Sequence, residues 1–276
     1  MRKLIALLLV AVMVIGMMIP GMAEPSPGKL DTQAVSIEIP EEVQDQLDAQ
    51  EQTIAVKKAN PAAYKNSTVA ALVSKVNGVS NAAATTVDAE GNKSETAIST
   101  ETTKNADGSE TTVTTITTTE SDGTVTTTQE TTEDSDGVTA VKDVAASLAE
   151  LPANSGLKLE KTEAGTTELT FKNADGAEET IVLDEYDFVS DFNEVSVSDD
   201  AGVVYDEAGL ISEITITLRD DALTDLGSDS DLSNYLVILI NPVTGELRFL
   251  PLEKDGNGNV IVKLPFAGVF AIIQKV

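Results

Sequence analysis

The sequence predicts a mainly β protein with a small helical N-terminal part, in which a Thr-rich antiparallel meander is followed by a β-sandwich. Three observations carry that reading. Residues 235–274 (YLVILINPVTGELRFLPLEKDGNGNVIVKLPFAGVFAIIQ) hold the long series of apolar segments from which a core must form. Residues 81–139 are dominated by Thr, whose branched Cβ favours extended backbone, and are punctuated by Gly-ending turns. Ile214, Ile216 and Leu218 alternate with polar residues, the pattern of a half-buried strand.

The elements follow in order. Residues 1–23 read as an export signal: Met1-Arg2-Lys3 is basic, Leu4 to Ile19 is apolar, and Gly21-Met22-Ala23 is a small-x-small cleavage site. Residues 24–80 form the N-terminal helical segment. Within it, Val35 to Ile39 alternates like a short strand that Pro40 stops. Residues 41–58 read as one helix, with acids early and lysines at its end. A second helix is predicted over 67–76. Asn66 or Ser67 caps it, Val69, Leu72, Val73 and Val76 form its stripe, and Gly78 terminates it.

In the meander, 81–139, turns end at Gly91, Gly108, Gly123 and Gly137, so they recur every 14 to 17 residues. That period is one strand plus one turn. The regularity favours ordered strands over the competing reading, a disordered or O-glycosylated stalk. Val113 falls on one face of a strand and Ile116 on the other, so neither face is expected to bury much. Residues 140–156 read as a linker helix with Val141, Val144, Leu148 and Leu151 on one side.

The sandwich is assigned to 157–276. Leu169 and Phe171 lie in a hairpin ending at an Asn173 to Gly176 turn, and the apolar strand Ile181-Val182-Leu183 follows. The run 235–240 suits a strand buried on both faces. Asn241 to Gly245 and Asp255 to Asn259 read as tight turns.

Composition limits function. There is no His, Cys or Trp. His-based triads, Cys nucleophiles, His/Cys metal sites and disulfides are therefore excluded. Carboxylate pairs remain, but aromatics for sugar stacking are scarce, which points away from an enzyme. The net charge of −28 repels nucleic acid and anionic membranes. Two acidic stretches resemble calcium loops. Asp255 to Asn259 starts like one, but Val260 and Phe266 replace the Gly and Glu that an EF-hand needs, so it reads as a hairpin turn. Asp225, Asp229 and Asp231, beside Asp220 and Asp221, would be the metal ligands if Ca²⁺ binds. No other cofactor is indicated.

Leu264-Pro265-Phe266-Ala267-Gly268 approximates a sortase signal, but the eight residues after it are too few to span a bilayer, which takes about 20. They read as a closing strand. The Thr-x-Thr pattern would suit an ice-binding array only without charges, and Glu110, Glu120 and Glu130 interrupt it.

The Thr-rich run with its NADG and SDG turns resembles repeats in secreted and cell-surface modular β-proteins of anaerobic Gram-positive bacteria. The ending NPVTGELRFLPLEKDGNGNVIVKLPFAGVFAIIQ is similar to the C-terminal β-sandwich modules of such proteins. The resemblance implies an extracellular location and a scaffold-like role, and it supplies no active-site residues. The expected function is thus a secreted, non-enzymatic structural or adhesive surface protein. The alternative is a carbohydrate- or Ca-binding module with its site in the sandwich loops. Expected partners are cell-wall or extracellular polymer, or a second copy paired through β edges, with no membrane after signal cleavage.

Overall fold

The computed structural model describes residues 30, 33–79, 81–87, 91–106, 110–134, 141–151, 158–172, 177–200, 204, 211–219 and 232–276. Among them the chain is mostly antiparallel β, in four sheets, with three α-helices. It begins with strand β1 (Gln33–Glu38), helix α1 (Glu41–Ala49) and strand β2 (Gln52–Lys58). The helix predicted over 41–58 therefore ends nine residues early. Val43, Leu47 and Ile54 share a helical spacing, so periodicity allowed the longer helix. Glu51 instead takes a left-handed φ of 55°, and the β-branched Thr53, Ile54 and Val56 enter a sheet. There Ile54 pairs with Val197 and Val56 with Val195, on strand β11 (Asn193–Asp199).

Helix α2 (Ser67–Val76) forms where the sequence places it. The Asn66 side chain accepts the Val69 N–H at 3.2 Å, and Gly78 follows the helix at φ 62°. The four stripe residues are buried, and so are Ala70, Ala71 and Ser74, because this helix is packed over most of its circumference.

The Thr-rich region forms one sheet in meander order. Its strands are β3 (Asn81–Val87), β4 (Lys93–Lys104), β5 (Glu110–Thr119) and β6 (Val125–Asp134). At the β5–β6 turn the Gly123 N–H donates to Glu120 O (2.9 Å) and the Glu120 N–H to Thr124 O (2.8 Å), with Gly123 at φ 85°. That is the three-residue hairpin whose last position needs glycine. Gly108 and Gly137 lie outside the described residues.

In place of one helix from the start of the predicted linker, a 3-10 turn (Val141–Val144) precedes a six-residue helix α3 (Ala145–Glu150), while residues 140 and 152–156 lie outside the described residues; Val141, Val144, Leu148 and Leu151 are all buried, as their spacing predicts. Strands β7 (Lys158–Lys161), β8 (Thr167–Lys172) and β9 (Glu178–Val182) form a three-stranded sheet of their own. The remaining strands are β10 (Tyr186–Phe188), β11, β12 (Ile214–Arg219), β13 (Tyr235–Ile240), β14 (Leu247–Pro251), β15 (Glu253–Lys254), β16 (Val260–Leu264) and β17 (Val269–Lys275).

These strands build two further sheets, and strands from before the meander complete both. The six-stranded sheet runs β14-β13-β17-β11-β2, with β10 also on β17; the four-stranded sheet runs β1-β12-β16-β15. Along β13 the side chains alternate between two apolar clusters. Val237 and Leu239 join Val195, Phe270 and Ile272 in a cluster with Ile216, Leu218, Val262 and Leu264 of the four-stranded sheet. Leu236, Ile238 and Ile240 face the other way, into a cluster with α2, α3 and the β7–β9 sheet, where Phe171 and Phe249 rings lie 5.2 Å apart. The continuous apolar run of β13 is thus the signature of a strand covered on both faces. Gly268, just before β17, is equally constrained: a Cβ there would collide with the Ile240 carbonyl oxygen.

Candidate functional site: the outer face of the threonine sheet

Side-chain alternation gives the meander two different faces. Even-numbered residues of β4 and β5 point inward. Ile98 sits directly opposite Ile116, and both are buried in the same cluster as Val69, Leu72 and Val76 of α2. Around them threonines pair across the strands: Thr96 with Thr118 (3.1 Å), Thr100 with Thr114 (3.4 Å) and Thr102 with Thr112 (3.1 Å). Ser74 of α2 reaches Thr100 at 3.3 Å, and Ser94 donates to Glu120 at the sheet's end. The expectation that neither face buries much is therefore corrected. Ile98 and Ile116 are two isolated apolar residues, but the register puts them together under a helix.

The odd-numbered residues form the outer face. In adjacent ranks across β3 to β6 stand Asn81-Ser99-Thr115-Gln129, Ala83-Ala97-Thr117-Thr127 and Thr85-Glu95-Thr119-Val125. Glu95 is the one charge among these twelve positions. Ala83 and Ala97 are the smallest side chains in the middle rank, so the face is hollowed there. Two adjoining shallow grooves, about 410 and 480 Å³, are lined by Ala83, Ala97 and Thr117 in common, with Thr119 beside one and Ser99 beside the other. Gln129 Nε2 donates to Thr115 Oγ1 (3.2 Å), fixing the β5–β6 side of this surface. The arrangement offers hydroxyl and amide groups in fixed rows, suited to hydrogen-bonding an extended polar ligand.

A second polar constellation is buried. Tyr64 donates its hydroxyl to Glu194 Oε2 (3.0 Å), and Lys57 Nζ stands 4.0 Å from the same oxygen. Burial raises the Glu194 carboxyl above the ordinary carboxylate range, opposed by Lys57 and by the Tyr64 hydrogen bond. Burial, with the Glu194 charge beside it, also pushes the Tyr64 hydroxyl well up. Nearby, Lys58 pairs with the buried Asp191 at 2.7 Å. Asn77 completes the joint: its Oδ1 accepts the Phe192 N–H (2.6 Å) and its Nδ2 donates to Phe192 O (3.0 Å). This cluster ties residues 57–77 to β11 and the segment before it. Its groups are committed to one another, and its work is positional.

Comparison with known proteins finds no matching family model, no similar curated protein and no similar solved structure. Asp225, Asp229 and Asp231, the residues that would ligate Ca²⁺, lie outside the described residues, as do Asp220 and Asp221. Among the described residues no three acidic side chains are grouped to hold a metal ion, and no helix is long and apolar enough to cross a membrane. The Asp255 turn is the hairpin its sequence predicts: Asp255 Oδ1 accepts the N–H groups of Asn257 and Asn259, both at 2.8 Å. Sequence reasoning missed the Tyr64–Glu194–Asn77 joint. Its members are spread from residue 57 to residue 194, and no local pattern links them.

Proposed function

We propose that this protein is exported and serves as a non-enzymatic structural or adhesive component. Its threonine sheet presents the outer face to hydroxyl-rich cell-wall or extracellular polymer. One observation carries the reading. The sheet's inner face is anchored through Ile98 and Ile116, while the outer face sets ranks of Thr, Ser, Asn and Gln around a groove floored by Ala83 and Ala97. A polysaccharide strand is the chemical match, since its hydroxyls both donate to and accept from such side chains. The strong negative charge disfavours nucleic acid and anionic membranes as alternatives.

The test uses the full chain and purified, insoluble cell-wall polysaccharide in a sedimentation assay. Ala97→Arg and Thr117→Arg each fill the groove from the solvent side and leave the inner face untouched. At least about tenfold weaker binding by either variant, with an unchanged circular dichroism spectrum, supports the proposal. Binding that is absent in the parent chain, or unaffected by both substitutions, overturns it.

A further inference from the structure

The two edges of the threonine sheet are treated differently. Along β3 the edge is covered: the turn Pro61–Ala63 packs against the strand, and Asn60 Nδ2 donates to the Ala83 carbonyl (3.3 Å). Strand β6, at the other edge, pairs with β5 over ten consecutive positions without a bulge; helix α2 and the turn Val141–Val144 pack near it, but no other described strand pairs with it. The Glu120 N–H to Thr124 O bond fixes which of its backbone groups are used. Hydrogen-bonded and non-bonded positions alternate in an antiparallel pair, so Thr126, Thr128, Glu130 and Thr132 bond to β5. The N–H and C=O groups of Val125, Thr127, Gln129, Thr131 and Glu133 consequently point away from the sheet.

Such an edge is ordinarily blunted by Pro, by charged side chains and Lys above all, by a bulge or by shortness. β6 is ten residues long and contains no Pro, Gly or Lys; its three charges, Glu130, Glu133 and Asp134, all fall in its second half, and Thr, a strong strand former, occupies half of its positions. Val125 at its start is 60% exposed.

We infer that β6 is a self-association edge, its occupant a second copy of this chain paired antiparallel about a two-fold axis at Gln129. The strand is self-complementary in that register. Val125 stands opposite Glu133, Thr127 opposite Thr131, and Gln129 opposite Gln129, so the outward backbone groups meet one another over nearly the whole strand. Glu130 falls opposite Thr128 and Asp134 opposite Thr124, and no two carboxylates are directly opposed. The product is an eight-stranded sheet with one continuous outer face. The inference rests on the backbone of β6 and holds whether or not that face binds polymer.

The absence of Cys in the sequence makes the test clean. Gln129→Cys in the full chain brings two thiols together across the axis, at about the 5.5 Å Cα separation of a bonded pair, within reach of a disulfide. Thr115→Cys, half-buried on the same face and one strand inward, is the control. Mild oxidation is expected to convert Gln129→Cys to a covalent dimer and to leave Thr115→Cys monomeric. Light scattering of the parent chain should show the mass doubling with concentration, more readily at high salt, because each copy carries −28. Thr127→Pro deletes an outward N–H at a position where an edge strand tolerates proline, and should return the protein to monomer. A mass that stays at one chain at every concentration and salt overturns the inference. So does equal cross-linking of the two Cys variants.

Discussion

Ile116→Ala, set against Val113→Ala, tests the central architectural claim, that the threonine sheet is a bound layer rather than a free ribbon. Both residues lie on β5 three positions apart, and on sequence alone they look equivalent. In the structure Ile116 is 4% exposed, opposite Ile98, and part of the cluster that includes α2, whereas Val113 lies on the outer face. Truncating Ile116 removes three buried carbon groups at about 0.8 kcal/mol each, roughly 2.4 kcal/mol of transfer energy. The void left beneath α2 adds to this, within the roughly 2–5 kcal/mol span of such truncations. Val113→Ala removes two groups from a partly exposed site and should cost about 1 kcal/mol or less. Urea denaturation followed by circular dichroism gives both changes from the shift in midpoint at constant slope. Limited proteolysis within 81–134 should accelerate for Ile116→Ala only. Equal and small effects of the two substitutions would refute the packing of this sheet on α2.

Asn77→Ala should destabilise by about 2 kcal/mol. Phe192 O keeps the Ala59 N–H at 3.0 Å, so the loss falls on the buried Phe192 N–H left without an acceptor and on Ala59 O, which accepts from Asn77 Nδ2 at 3.4 Å. A urea midpoint unchanged from the parent would contradict the proposed joint. Glu194→Gln should change the pH profile of stability in a defined direction. The folded chain keeps the Glu194 proton above the pH at which the unfolded chain releases it, so this group's contribution is greatest at low pH. It declines as pH rises from the ordinary carboxylate value, about 4.3, through the raised folded one. The parent-minus-variant difference in urea midpoint should fall across that window, and a flat difference would remove Glu194 as its source.

Much of the fold was legible because its signals are local. The cap at Asn66, the buried stripe of α2, the Gly123 and Asp255 turns and the both-faces burial of β13 each follow from a few neighbouring residues. The end of α1 was not legible, since Val43, Leu47 and Ile54 fit a helix as well as a helix followed by a strand. Pairing with Val195 and Val197, some 140 residues away in sequence, settled it. The candidate site was half legible. Thr-x-Thr repeats announced an extended sheet, but the small floor at Ala83 and Ala97 arises only once β3 is laid beside β4.

By itself, then, the sequence determined the class of structure, the turn positions and the classes of chemistry ruled out by lacking His and Cys. These depend on side-chain branching, backbone freedom and the inventory of functional groups, all of which are properties of single residues or near neighbours. Tertiary structure decided which threonines face solvent, that Ile98 and Ile116 meet beneath α2, and that residues 33–58 complete sheets built from the far end of the chain. Those outcomes depend on strand register and long-range burial, where a shift of one residue exchanges the two faces of a strand.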